Sequence, residues 1–203
     1  MMADHKGLPI ISFASATDWE AWLTDHGAAS PGVWLKFAKK GSGVPSVGKA
    51  EAIEAALAHG WIDGQLDKLD EPFWLVRFTP RSRTSKWSKI NRDTAARLIA
   101  QGQMKAAGLE EVDRAKRDGR WAAAYPPQSA AEVPPDLQVA LEASPEAKAF
   151  FASLTGANRY AILYRIHDAK TAATRAARIE RFVLMLAQSQ TLHPPAKARR
   201  ELS

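Results

Sequence analysis

From Arg77 to Arg97 the chain carries seven basic side chains, Arg77, Arg81, Arg83, Lys86, Lys89, Arg92 and Arg97, against a single acid, Asp93. Thr79, Ser82, Thr84, Ser85 and Ser88 set hydroxyl groups among them, and Trp87 adds a flat apolar surface. Guanidinium forks and hydroxyls donate to phosphate or carboxylate oxygens while an aromatic ring packs the body attached to them, so this mixture suits recognition of an anion. Just upstream, Trp61, Asp63 and Gln65 hold alternate positions and would project to one side of an extended segment. Asp63 beside Arg77 or Arg81 would make a polar cluster against an apolar core. A helix opening at Ser88, with Asn91 in its first turn, would add free backbone amides. The candidate ligand-binding set is therefore Trp61, Asp63, Gln65, Arg77, Thr79, Arg81, Trp87, Ser88 and Asn91. Each also has a structural reading: a solvated basic loop, and a turn in which Asp63 bonds its own backbone before Gly64.

Templates for catalysis mostly fail. The five histidines (His5, His26, His59, His167, His193) are scattered and none pair at metal-ligand spacing, so no metal site and no cofactor is expected. No nucleophile elbow surrounds any serine. Asp63 and Asp67 could act as a carboxylate pair, and a hydrolase or transferase using Asp63 with Arg77 stands as one alternative. Gly41-Ser42-Gly43 lacks the lysine–hydroxyl pair of a phosphate loop and reads as a flexible connection.

The framework that holds these residues is set by pattern. Thr17 and Glu20 have capping-box spacing, with Trp19, Trp22 and Leu23 on one face and Gly27 as a stop. Val33 to Ala38 is of strand type. Lys49 to His59 reads as a helix with Ile53, Ala56 and Leu57 inward, terminated by Gly60. Trp61 to Gln65 leaves it extended or in a turn, and Asp70 to Pro72 turns the chain into a strand over Phe73 to Thr79. There Trp74, Val76 and Phe78 face one side, and Phe73, Leu75 and Arg77 the other. Ser88 caps a helix bearing Ile90, Leu98 and Ile99, and Leu109 and Val112 mark the next, closing at Gly119.

From Tyr125 to Pro135 the composition turns to Pro, Ala and Ser, the mark of a semi-rigid linker. Beyond it the pattern is helical throughout, with stripes Tyr160, Leu163, Tyr164, His167 and Ile179, Phe182, Val183, Leu186 at i, i+3, i+4, i+7. These predict a helical pair docked by its apolar faces. The fold class is thus α+β: a small mixed or antiparallel sheet with packed helices, then an all-helical C-terminal region. The expected divisions are residues 1–124, a linker at 125–135, and 136–203, ending in a frayed Pro194 to Ser203.

Composition bounds the role. With 46% apolar and 25% charged residues in 203, the chain can build a core. It has no cysteine, so disulfides and thiolate metal sites are excluded. Met1 to Ile11 lacks the pattern of a signal peptide and no run approaches the roughly 18 apolar residues of a membrane span, so a cytoplasmic location is expected. Net charge is +6, and its placement is uneven: residues 1–156 hold 19 basic and 19 acidic side chains, residues 157–203 nine and three. Arg175, Arg178 and Arg181 lie off the apolar stripe and could meet a protein partner. Together with Trp87 amid arginines, that tail also allows a nucleic-acid-binding alternative, although no nucleic-acid motif is present.

Several motifs in order carry a family resemblance: Ala58-His59-Gly60-Trp61-Ile62-Asp63-Gly64-Gln65, Arg77-Phe78-Thr79-Pro80-Arg81 and Trp87-Ser88-Lys89-Ile90-Asn91. Ala107-Gly108-Leu109, Asp118-Gly119-Arg120-Trp121, Asn158-Arg159-Tyr160, Ala169-Lys170 and Thr174-Arg175 with Arg178-Ile179 continue it. From Thr17 to Pro194 the chain resembles the YdeI/OmpD-associated, or bacteriocin-protection, family. The resemblance implies tolerance of bacteriocins or cationic antimicrobial peptides and supplies no catalytic mechanism. The resulting expectation is a non-enzymatic cytosolic resistance protein that binds an anionic small molecule through residues 61–91.

Overall fold

A computed structural model describes residues 4–193; the expected frayed end at Pro194 to Ser203 lies outside them. Two compact units divide between Ala124 and Tyr125. The first is α+β and the second is helical, as the pattern predicts.

The first unit opens with a hairpin that periodicity does not predict. Strands β1 (Asp4–His5) and β2 (Leu8–Ile11) pair antiparallel across Lys6 and Gly7, both at positive φ (52° and 78°). That backbone matches the twist of a two-residue hairpin turn. Helix α1 (Ala16–His26) comes next, and its cap is Ser15, whose hydroxyl accepts from the Asp18 amide at 3.2 Å, rather than Thr17. The helix carries the chain back to β3 (Val33–Ala38), which lies parallel to β2. Helix α2 (Lys49–Ala58) precedes β4 (Trp61–Lys68) and β5 (Phe73–Pro80), an antiparallel pair, and β5 also pairs with β3. The five-stranded order is β1-β2-β3-β5-β4. A mixed sheet is therefore present, with one parallel junction.

One sheet face is covered. Val33, Leu35, Phe37, Val76, Phe78 and Trp61 pack with Trp19 and Leu23 of α1 and Ala52 and Ala56 of α2. Fully burying an aliphatic or aromatic side chain of this kind stabilises by about 1.5–3 kcal/mol, so this face anchors the unit. The buried Trp19 indole donates to the Ala52 carbonyl at 3.0 Å, which satisfies the one polar atom that ring brings inside.

A second cluster sits beyond α2, where α3 (Lys89–Ala100) and α4 (Ala106–Arg117) gather Leu57, Ala58, Trp87, Ala95, Leu98, Met104 and Val112. On α3 Leu98 is buried, whereas Ile90 in the first turn is exposed. Gly108 lets α4 approach the end of α2: a β-carbon there would lie 2.2 Å from the Ala58 carbonyl oxygen. Gly60, at φ +76°, turns the chain from α2 into β4 and faces the Ala107 carbonyl closely too, at 2.9 Å from a notional β-carbon.

The second unit contains α5 (Pro135–Glu142), α6 (Pro145–Ser153), α7 (Gly156–His167) and α8 (Ala172–Ala187). Leu137, Leu141, Phe151, Ile162, Leu163, Ile166, Ile179, Phe182 and Leu186 form its core. Residues 125–135, read from composition as a linker, lie on this unit: Ala131 and Val133 pack against that core and Gln128–Ala130 make a short 3-10 turn. After α8 the chain is tied back by Asn158, 6% exposed, which exchanges hydrogen bonds with the backbone of His193 at 3.1 and 2.9 Å. No helix among the described residues is long and apolar enough to cross a membrane.

Candidate functional site

The residues singled out between 61 and 91 divide among three places. Trp61 is buried in the first core. Asp63 pairs in register with Phe78, which belongs to that same core, so Asp63 lies on the helix-covered side. Arg77 pairs with Trp34 across β3 and points to the other face. The expected Asp63–Arg77 cluster, and with it the acid–base pairing of those two, is therefore split by the sheet itself.

Gln65 joins Arg77 because β4 contains a bulge. Between the pairs Asp63↔Phe78 and Leu66↔Val76, two residues of β4, Gly64 and Gln65, stand opposite Arg77 alone. The extra residue breaks simple alternation and brings Gln65 to the Arg77 side. There the two line a pocket of about 320 Å³ with Lys6, Gly7, Leu8, Pro31 and Trp34. Thr79 shares that face and packs near Gly32.

Sequence reasoning missed Trp34 and Lys6. Trp34 is 1% exposed, and its buried indole nitrogen has no hydrogen-bond partner among the described residues. The hairpin holds it from one side: the His5 ring meets Trp34 edge-on at 4.8 Å and Lys6 Nζ lies 5.6 Å from the ring centre. Lys6 and His5 are themselves fixed by Asp67, which accepts from Lys6 at 2.7 Å and contacts His5 Nε2 at 3.0 Å. Those two side-chain bonds, Lys6 foremost, hold the Asp67 carboxyl well below the usual carboxylate range. Arg77, exposed, has neither an ion pair nor a hydrogen bond among the described residues. The residues that line the pocket thus carry donor groups: an indole, a guanidinium, a primary amide and an ammonium.

The 81–91 stretch is organised differently. Arg81, 6% exposed, lays its guanidinium 3.6 Å over the Trp87 ring and donates to the Lys86 carbonyl at 3.3 Å. Its backbone amide bonds the Gly60 carbonyl at 3.0 Å. Trp87 is 1% exposed and meets Trp121 edge-on, so its ring is not open as a platform for a nucleic-acid base. The Ser88 hydroxyl accepts from the Asn91 amide at 3.1 Å, capping α3 as the sequence predicts. Arg81, Trp87, Ser88 and Asn91 therefore close a loop onto α3 and its neighbours.

In the second unit the three tail arginines also part company. Arg175 grips Asp136 with Nε and Nη2 (2.5 and 2.9 Å) and gives Nη1 to the Ile166 carbonyl at 3.1 Å. Arg178 bonds the Arg165 carbonyl and stands 4.0 Å from Asp168. Both tie helices of their own unit together, and Arg181 remains exposed beside Phe182. Among the described residues there is no group of three metal-ligating side chains.

Fold and pocket together define a two-unit protein: an α+β unit with a pocket on the sheet face opposite α1 and α2, lined by residues that carry donor groups, and a helical unit. Residues 130–189, in the helical unit, match the family model described as bacteriocin-protection, YdeI or OmpD-associated. Residues 11–111 match a separate model, a domain of unknown function (DUF8412), and the likeness running from Thr17 to Pro194 thus divides between two families. Neither a curated protein nor a solved structure matches the chain.

Proposed function

We propose that this is a non-enzymatic cytosolic protein of bacteriocin or cationic antimicrobial peptide tolerance, whose first unit binds a small anion in the sheet-face pocket. The tolerance role rests on the family of residues 130–189. The binding role rests on one observation above others: Trp34, whose buried indole N–H has no partner among the described residues, lines the same pocket as Arg77. Leaving such a donor unsatisfied costs about 1–3 kcal/mol, a cost that an acceptor atom of a ligand removes. Arg77 supplies the charge and a planar fork for a carboxylate or phosphate, and Gln65 adds an amide donor. The titratable groups lining the pocket, Lys6 and Arg77, are both cations, which suits holding an anion better than moving a proton.

Titration of the 15N-labelled protein with inorganic phosphate, and separately with a small dicarboxylate, tests this reading. The Trp34 indole N–H resonance should move downfield on binding, and thermal unfolding should shift upward. Arg77→Ala should weaken both responses by about ten- to a hundredfold in anion concentration. If neither anion moves the Trp34 resonance, or if Arg77→Ala responds like the parent protein, the pocket is not an anion site.

A further inference from the structure

The stripe Tyr160, Leu163, Tyr164 and His167 has the spacing of a helix-docking face, yet the buried face of α7 is centred on Ile162, Leu163 and Ile166. The four stripe residues instead form one wall of a cavity of about 80 Å³ in the helical unit, closed by residues of the 125–135 segment and by Arg175. Tyr125 and Tyr164 stand perpendicular, ring centres 5.0 Å apart, and Tyr160 lies 6.0 Å from Tyr164 with its ring tilted by 44°. The Tyr160 hydroxyl donates to the Pro126 carbonyl at 2.9 Å, which fixes the ring and ties the segment to α7. Burial, then the neighbouring Tyr125 and Tyr164, push this phenol up from its ordinary value, so it stays a neutral donor.

The charges around this cavity are not balanced. Arg175 brings a cation to the wall, but Asp136 matches it with two hydrogen bonds and all three guanidinium nitrogens are engaged. Glu132 also lines the cavity, exposed, and has no cation of its own among the described residues. His167 is the other titratable side chain on the wall besides the tyrosines. Aromatic faces carry negative potential and attract cations, most strongly soft, weakly hydrated ones. From three tyrosines and an uncompensated carboxylate around a small cavity we infer a binding site for an alkylammonium group, such as a quaternary ammonium head or the methylated end of a lysine side chain. The site is separate from the sheet-face pocket in residues and in charge preference.

Choline and its uncharged carbon isostere, 3,3-dimethylbutan-1-ol, test it on the full chain, with tyrosine ring and backbone amide resonances of residues 125–164 as readout. Choline should shift these resonances and bind about tenfold or more tightly than the isostere, because shape is shared and only charge differs. Glu132→Gln, an exposed change that leaves the fold in place, should weaken choline about twofold to fivefold. Tyr164→Leu should abolish the response while circular dichroism stays that of the parent. A short, otherwise uncharged peptide bearing one trimethyl-lysine separates the sources: tighter binding than choline assigns the site to a protein side chain, and equal binding to a small molecule. Equal shifts with choline and its isostere, no shift with either, or an unchanged choline response in both variants would overturn the assignment.

Discussion

Arg77 and Arg81 are four residues apart and meet opposite fates. Arg77 ends its side chain on the sheet face opposite α1 and α2, exposed and without a carboxylate partner among the described residues, in a pocket that Trp34 also lines. Arg81 is buried, flat on Trp87, and helps close the loop between β5 and α3. The difference lies in the backbone around each one: Arg77 sits within a regular strand and obeys its alternation, whereas Arg81 lies past the strand end, where the chain folds back over the second cluster. Density of basic residues marks the neighbourhood of both and distinguishes neither. Burial and partner do.

The two positions should therefore separate cleanly by measurement. The largest effect is expected at Arg81→Ala, which removes a buried cation–π contact and a hydrogen bond. Urea unfolding should report a loss of about 2–3 kcal/mol. Arg77→Ala should leave stability within about 0.5 kcal/mol, as an exposed change does. It should nonetheless weaken phosphate binding by about ten- to a hundredfold, the range of a charge-assisted hydrogen bond. Calorimetry decides whether stability and affinity are lost at separate positions. Trp34→Phe tests the indole: losing one N–H donor should reduce anion affinity by about five- to tenfold, read in the same titration.

The smallest effect concerns the hairpin that positions Lys6. The Asp67 carboxyl is held low in the folded protein, so its contribution is full above the ordinary carboxylate value of about 3.9 and fades as pH falls through and below it. Asp67→Asn should flatten the pH dependence of the melting temperature between about pH 5 and 3, where the parent loses stability. A parent profile no steeper than the variant's would detach Asp67 from the hairpin.

Legibility in the sequence depends on whether the deciding partner is local. Strand β3, strand β5 and its two faces, the Ser88 cap and the Ile179–Leu186 stripe are legible because periodicity and capping act within a few residues. The β1–β2 hairpin is not: its strands are two and four residues long, one contains Pro9, and their stabilising contacts come from Trp34 and Asp67, far along the chain. Lys6 and Trp34 stay hidden with it. The stripe on α7 is visible in the spacing, which shows that Tyr160 and Tyr164 share a face without saying whether that face meets a helix or a cavity. Nearness along the chain groups Asp63 with Arg77, and only strand pairing shows that they lie on opposite faces.

The bulge in β4 gives that strand an arithmetic of parity. Trp61 must face the core and Asp67 must reach the hairpin on the opposite face, and both are satisfied only because one residue is supernumerary between them. A substitution at Gln65 alters a single side chain, but a one-residue deletion there reverses every later side chain in the strand, or every earlier one. Chain length across Asp63–Leu66 is thus a stricter constraint on this protein than the identity of any residue within it.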